Sequence, residues 1–270
     1  MAVTRPREQS RDLARLIERH GGTALLYPLI AIAAASDEDA LRRAVAQDVD
    51  ALVFTSANGV RAYVAGRAAA RAANFPSERA AERATTDTPF NLTDRDARET
   101  DPPAICVGSQ TAAAAQAAGI TVLAIPAAFA SDQLAQTVVF VGMEKRRMLL
   151  VRGNLADEQL VRTLRELGCD VTEVVGYRTT EAPEEARRLV ADALAGRVHI
   201  LTFASGSAAA VFAETLGGAS LPAGVLVASI GPKTTAVLAR YAICADMTAA
   251  KATGDGLVDA LRDFLRAKAP

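Results

Sequence analysis

The chain has 270 residues, half of them hydrophobic and under a quarter charged, with a net charge of −1. That composition can bury a sizeable core, as one large domain or two modest ones. The near-neutral balance argues against a dedicated nucleic-acid binder, and no apolar run is long enough to span a bilayer. The opening MAVTRPREQS lacks the apolar stretch of a secretory signal, so the expected location is the cytoplasm. Cys106, Cys169 and Cys244 are scattered, each in or beside an apolar run, and read as small buried thiols. His20 and His199 are the only imidazoles and have no neighbours at ligand spacing, so a zinc or iron site is not expected. Trp is absent and aromatics are scarce, which disfavours base stacking.

Taken from the N-terminus, the first block is TRPREQSRDLARLIERHGGTALLYPLI (4–30). VFTSANGV (53–60) follows: Val53 and Phe54 are strand formers, Thr55, Ser56, Asn58 and Gly59 are turn or N-cap types, and a helical Ala/Arg-rich stretch comes next. Residues 66–103, rich in charge, Thr, Pro and Asp, read as a helix end and a mobile surface insertion. ICVGSQTAAAAQAAGITV (105–122) and SDQL (131–134) complete a first pass.

The second pass repeats the first. VRGNLADEQLVRTLRELGCDVTEVVGY (151–177) lays over 4–30 without a gap, placing Arg152 on Arg5 and Gly168 on Gly21. TFASGSAA (202–209) lays over VFTSANGV, matching Phe203 with Phe54 and Ser205 with Ser56. ASIGPKTTAVLARYAICA (228–245) lays over 105–122, and GDGL (254–257) over SDQL. Four blocks in one order point to a duplication. Each is a short apolar strand, a polar turn and an Ala/Leu-rich helix, so the expected fold is α/β: two flavodoxin-like lobes with parallel sheets. Ligands of such sheets bind at the strand C-terminal ends, where the polar turns collect, and the turns of both lobes are expected to face one shared cleft.

The stretches VTRP, LVFTSANGVRA (52–62), VGSQTAAAA (107–115), VTEVVGYRT (171–179) and IGPKTTAVL (230–238) resemble uroporphyrinogen-III synthase, in order and over nearly the whole chain. The second strand–turn departs from the family in reading FASGS, and 66–103 is longer than the family leads one to expect. The resemblance implies a discontinuous lobe of residues 1–30 and 180–270 and a second lobe of 36–173 carrying the insertion. The segments 27–32 and 174–179 would join them, so that the duplicated blocks are swapped between lobes.

It also implies a chemistry: linear hydroxymethylbilane, with eight carboxylates, closes to uroporphyrinogen III with inversion of the last pyrrole and loss of water, without metal or cofactor. Tyr177, in the family's Tyr-Arg-Thr stretch, is the expected catalytic residue, helping the terminal hydroxyl leave. Oriented N–H groups at helix N-termini hold anions without net charge, and Ser56, Asn58, Ser109, Thr111, Ser205, Ser207 and Thr234 lie where such turns fall. Each of these is also an ordinary capping type. Arg5, Arg152 and Lys233 are candidates to pair with acetate or propionate groups. A monomer is expected, with the preceding pathway enzyme as a candidate partner. The alternative left open is a non-catalytic two-lobed module that binds a tetrapyrrole or another anion. A phosphosugar or nucleotide enzyme lacks its usual G-x-x-x-x-G-K-[ST] or G-x-G-x-x-G run.

Overall fold

A computed structural model describes residues 1–73, 100–126, 131–156 and 158–268. Its strands are β1 (Ala2–Val3), β2 (Leu25–Leu26), β3 (Ile30–Ala34), β4 (Ala51–Phe54), β5 (Ala104–Cys106), β6 (Val122–Ala124), β7 (Arg147–Gly153), β8 (Asp170–Glu181), β9 (Ile200–Phe203), β10 (Leu226–Ser229) and β11 (Met247–Thr248). Its helices are α1 (Arg7–Arg19), α2 (Glu38–Val45), α3 (Ala57–Ala72), α4 (Ser109–Ala117), α5 (Ser131–Phe140), α6 (Gln159–Glu166), α7 (Pro183–Leu194), α8 (Gly206–Leu216), α9 (Pro232–Arg240) and α10 (Gly254–Lys268). The chain divides into two compact units, Met1–Ile32 with Thr180–Pro270, and Ala33–Thr179.

The first unit holds a five-stranded parallel sheet in the order β11-β10-β9-β1-β2. Counted along the unit this is the flavodoxin order, with two strands from the start of the chain and three from its end. Strand alternation sends neighbouring side chains to opposite faces. Ala2, Leu201, Phe203 and Val227 meet α7, α8 and α9 on one side. Val3, Ala228 and Met247 meet Leu13 and Ile17 of α1 and Leu257, Val258 and Leu261 of α10 on the other. Two buried hydroxyls tie β1 to β9 crosswise: Thr4 donates to the Thr202 carbonyl at 2.7 Å and Thr202 to the Ala2 carbonyl at 2.6 Å.

In the second unit the order is β3-β8-β7-β4-β5-β6, and the pairs from β8 to β6 are parallel. Every residue of β4 is fully buried, as a central strand covered on both faces should be. Leu52 and Phe54 pack with α2, α3 and α4, and Ala51 and Val53 with α5 and α6. β3 and β8 carry the chain across the unit boundary and are neighbours in this sheet.

The duplication persists in side-chain detail. Phe54 packs edge-on against Tyr63 with centroids 5.6 Å apart, and Phe203 tilts against Phe212 at 5.2 Å, each pair nine residues apart. Two readings of the sequence need comment. Cys106 and Cys169 are buried, but Cys244 is exposed: Ile243 takes the inward position between α9 and β11, which turns its neighbour out to solvent. The proposed insertion 66–103 begins inside α3, which runs on to Ala72, and most of it (74–99) lies outside the described residues.

Candidate active site

Ser56 follows β4 and is the N-cap of α3; with φ −156° and ψ 157°, its Oγ accepts the Gly59 N–H at 3.2 Å. Ser205 does the same for α8, with φ −158°, ψ 152° and a 3.2 Å bond from the Ala208 N–H. Both serines therefore cap helices. They differ in one contact. Ser56 Oγ also lies 2.9 Å from the Tyr177 hydroxyl, whereas the residue aligned with Tyr177 in the other copy is Ile30.

Tyr177 owes its place to the neighbouring strand. β7 and β8 pair in register from Arg147↔Asp170 to Arg152↔Val175, then slip, so that Gly153 faces Tyr177 instead of Gly176. Such an irregularity re-aims a side chain at the end of a ladder. The phenol ring settles over the bare backbone of Gly153, where a Cβ would fall 2.7 Å from Cζ and 2.9 Å from the hydroxyl oxygen. At Gly176 a Cβ would meet Val151 Cγ1 at 2.5 Å, and at Gly59 it would meet the Val151 carbonyl oxygen at 2.7 Å. These glycines let α3, β7 and β8 approach closely enough for Ser56 and Tyr177 to touch. Of the three, the sequence reading names Gly59 alone, as a turn type. The available signal was broken symmetry, since Gly153, Gly176 and Gly59 align with Pro6, Leu29 and Ala208.

The two aligned arginines part company. Arg152 is held by Glu173, Nε to Oε2 at 3.0 Å, and donates to the Ala156 carbonyl at 3.1 Å. It lines a hollow of about 530 Å³ with Glu158, Arg162, Arg165, Glu166 and Glu173, and Tyr177 is not part of that wall. Arg5, just beyond β1, is half-buried and makes no hydrogen bond or ion pair through its guanidinium among the described residues. Burial lowers its pKa from the ordinary arginine value, and the charge of Asp12 opposes the shift.

The other candidates fall in first helical turns. Asn58 is in α3 and accepts from Arg61 at 2.6 Å; Ser207 is in α8. Ser109 and Thr111 open α4, and Lys233 and Thr234 open α9. The two threonines are buried at corresponding positions, while Ser109 and Lys233 are exposed. Both helices start from a glycine, Gly108 or Gly231, so no side chain caps their first N–H groups. Beside α9 a chain of hydroxyls runs from Ser229 through Thr235 (2.8 Å) to Thr248 (2.7 Å), with Thr235 rather than Thr234 as its middle member. Among the described residues no helix is long and apolar enough to cross a membrane, and no group of three or more His, Cys, Asp or Glu could hold a metal ion.

Residues 11–259 match the model of the family described as uroporphyrinogen-III synthase HemD. The chain is 24% identical over 268 residues to the uroporphyrinogen-III synthase of Chlorobaculum parvum, covering 98% of each protein. Its structure resembles a mutant uroporphyrinogen III synthase from Thermus thermophilus, with a TM-score of 0.67, 20% identity and coverage of 99% and 98% of the two chains. A uroporphyrinogen-III synthetase from Helicobacter pylori aligns at a TM-score of 0.52 and 18% identity, over 90% of this chain and 93% of that one. At these identities the two structures establish the shared fold.

Proposed function

The chain belongs to the uroporphyrinogen-III synthase family, and on that premise we propose that it is a dehydrating carbon–oxygen lyase, closing linear hydroxymethylbilane to uroporphyrinogen III. The observation that carries this reading is the family match, which spans residues 11–259 and so takes in segments of both units. Tyr177 is the proton donor. Its phenol gives a proton to the terminal hydroxyl as the carbon–oxygen bond breaks, the bonding pair leaves with oxygen as water, and an electrophilic methylene remains on the first pyrrole. The substituted carbon of the last pyrrole attacks that methylene and forms a spiro intermediate. Its rearrangement and closure release a ring proton, which returns to the phenolate. Overall the substrate loses one molecule of water and nothing else.

Binding must hold a flexible polycarboxylate so that its ends meet, and positioning supplies most of the rate for a cation that forms readily. In the first unit Arg5 offers a half-buried guanidinium with no hydrogen bond or ion pair among the described residues, and Ser205, Ser207, Lys233 and Thr234 stand at helix starts. The second unit offers Asn58, Ser109 and Thr111 in the same way, with the uncapped N–H groups behind Gly108 favouring negative charge. Arg152 belongs to this set to the extent that a substrate carboxylate displaces Glu173. We take the working form to be a cytoplasmic monomer that receives its labile substrate from the preceding pathway enzyme.

The test is the product isomer. Left alone, hydroxymethylbilane closes head to tail without inversion and gives the type I ring. In a coupled assay with freshly made substrate, added protein shifts the product from type I to type III in proportion to its amount. Binding without that shift, or neither binding nor shift, refutes the reading.

A further inference from the structure

Either oxygen of the Ser56–Tyr177 contact can be its donor, and the proton that a ligand needs decides which. A serine hydroxyl has one proton to donate and two lone pairs to accept with. Ser56 Oγ already accepts the Gly59 N–H at 3.2 Å, and the Tyr177 oxygen at 2.9 Å is the one acceptor within reach of its proton among the described residues. Were the phenol the donor, its one proton would be engaged by Ser56 and unavailable to a ligand. With Ser56 donating, the phenol keeps its own proton, which needs an acceptor outside the described residues. That proton is then available to an arriving ligand. Gly153 fixes the other coordinate, because only a residue without a Cβ lets the ring lie where its oxygen meets Ser56.

We propose that Ser56 and Gly153 are positioning residues for Tyr177: Gly153 seats the ring, and Ser56 donates to the phenol oxygen so that the phenol proton is aimed at the leaving hydroxyl. This rests on Tyr177 being the proton donor in the reading above. It gives Ser56 a part played through the tyrosine instead of on a substrate carboxylate. It also explains why Ser205, with the same cap geometry, has no tyrosine above it. The duplicated turn is kept as a cap in both units and has become part of the proton-donating arrangement in one.

The experiment is a double-mutant cycle read as kcat and KM for type III product. Ser56→Gly is the informative change, because glycine caps a helix nearly as well as serine while lacking the hydroxyl. It lowers kcat by about fivefold, the worth of one neutral hydrogen bond, with KM moving by less than about twofold. Ser56→Thr returns the hydroxyl and restores most of the loss. In a Tyr177→Phe background Ser56→Gly costs nothing further, since there is no phenol left to orient. Gly153→Ala, where it folds, lowers kcat in the same way; where it does not, the Ser56 cycle decides alone. A loss carried by KM, a failure of threonine to rescue, or a full further loss on top of Tyr177→Phe overturns the positioning role. A wild-type chain that makes no type III product fails earlier, and that failure belongs to the enzyme reading.

Discussion

Gly59→Ala sets helix propensity against packing, and the two predict opposite signs. In an open helix the change stabilises by roughly 0.5–1 kcal/mol, because alanine loses less backbone freedom on folding. Here the new Cβ would lie 2.7 Å from the Val151 carbonyl oxygen. A carbon–oxygen contact relaxes only near ~3.3 Å, so α3 and β7 would have to part by about 0.6 Å. Neither can yield by a rotamer change, since the obstructing atom is backbone in a strand paired on both sides, with β4 and with β8. Overpacking of this kind costs about 1–3 kcal/mol, which at the midpoints of the two ranges leaves a net loss of about 1.3 kcal/mol and a melting point lower by roughly 3–5 °C. The protein has two units that need not unfold together. Thermal melting is therefore best paired with hydrogen exchange of the Arg147–Gly153 peptide, which reports the second unit alone. An unchanged or raised melting point, with undiminished protection of that peptide, refutes the close approach and with it the geometry that brings Ser56 to Tyr177.

A second pair of changes uses the duplication as its own control. After α4 the chain turns through Gly119 at φ 79°, and the aligned residue after α9 is Ala242 at φ 58°, a left-handed conformation that a Cβ disfavours. Ala242→Gly gains and Gly119→Ala loses about 0.5–1 kcal/mol after the unfolded-chain entropy is counted, measured by urea denaturation; equal signs for the two would refute the strain. On the alkaline side, burial and then the hydrogen bond to Asp192 push Tyr27 up to about 12. Its folded value lies above its unfolded one, so its contribution is whole below pH 10 and is lost as the pH climbs towards 12. Stability of the first unit followed over that window falls in wild type and falls less in Tyr27→Phe; parallel curves would refute the assignment.

The architecture could be read from the chain because it rests on local signals. ALVF at 51–54 is a continuous apolar run and becomes a strand buried on both faces. The matched serines after β4 and β9 become caps of the same geometry; the discontinuous first lobe is implied by the family resemblance and not by the blocks themselves. What escaped depends on which strands lie side by side. Arg5 and Arg152 align and were treated alike, yet Arg152 is engaged by Glu173 on β8, whose counterpart in the other copy is Leu26. Tyr177 was picked out by its Tyr-Arg-Thr context, but its seat on Gly153 needs the slip between β7 and β8, which no local pattern announces. Thr235 lies one residue from Thr234, about 100° further round the helix, and that step alone puts it in the hydroxyl chain. Cys244 turned outward for a similar reason, one residue past Ile243.

The split composition of the first unit bears on how the protein is made. β1 lies in the interior of its sheet between β2 and β9, so its partner on one side is not synthesised until residues 200–203 emerge. At ribosomal speeds of about 5–20 residues per second, the N-terminal segment waits roughly 10–40 s with one edge of β1 bare. The second unit is contiguous in sequence and can fold during that interval. A strand of only two residues, followed after Thr4 by Arg5 and Pro6, offers other chains little to pair with while it waits. The interrupted arrangement thus imposes an order of assembly, in which the unit that begins first is the one that finishes last.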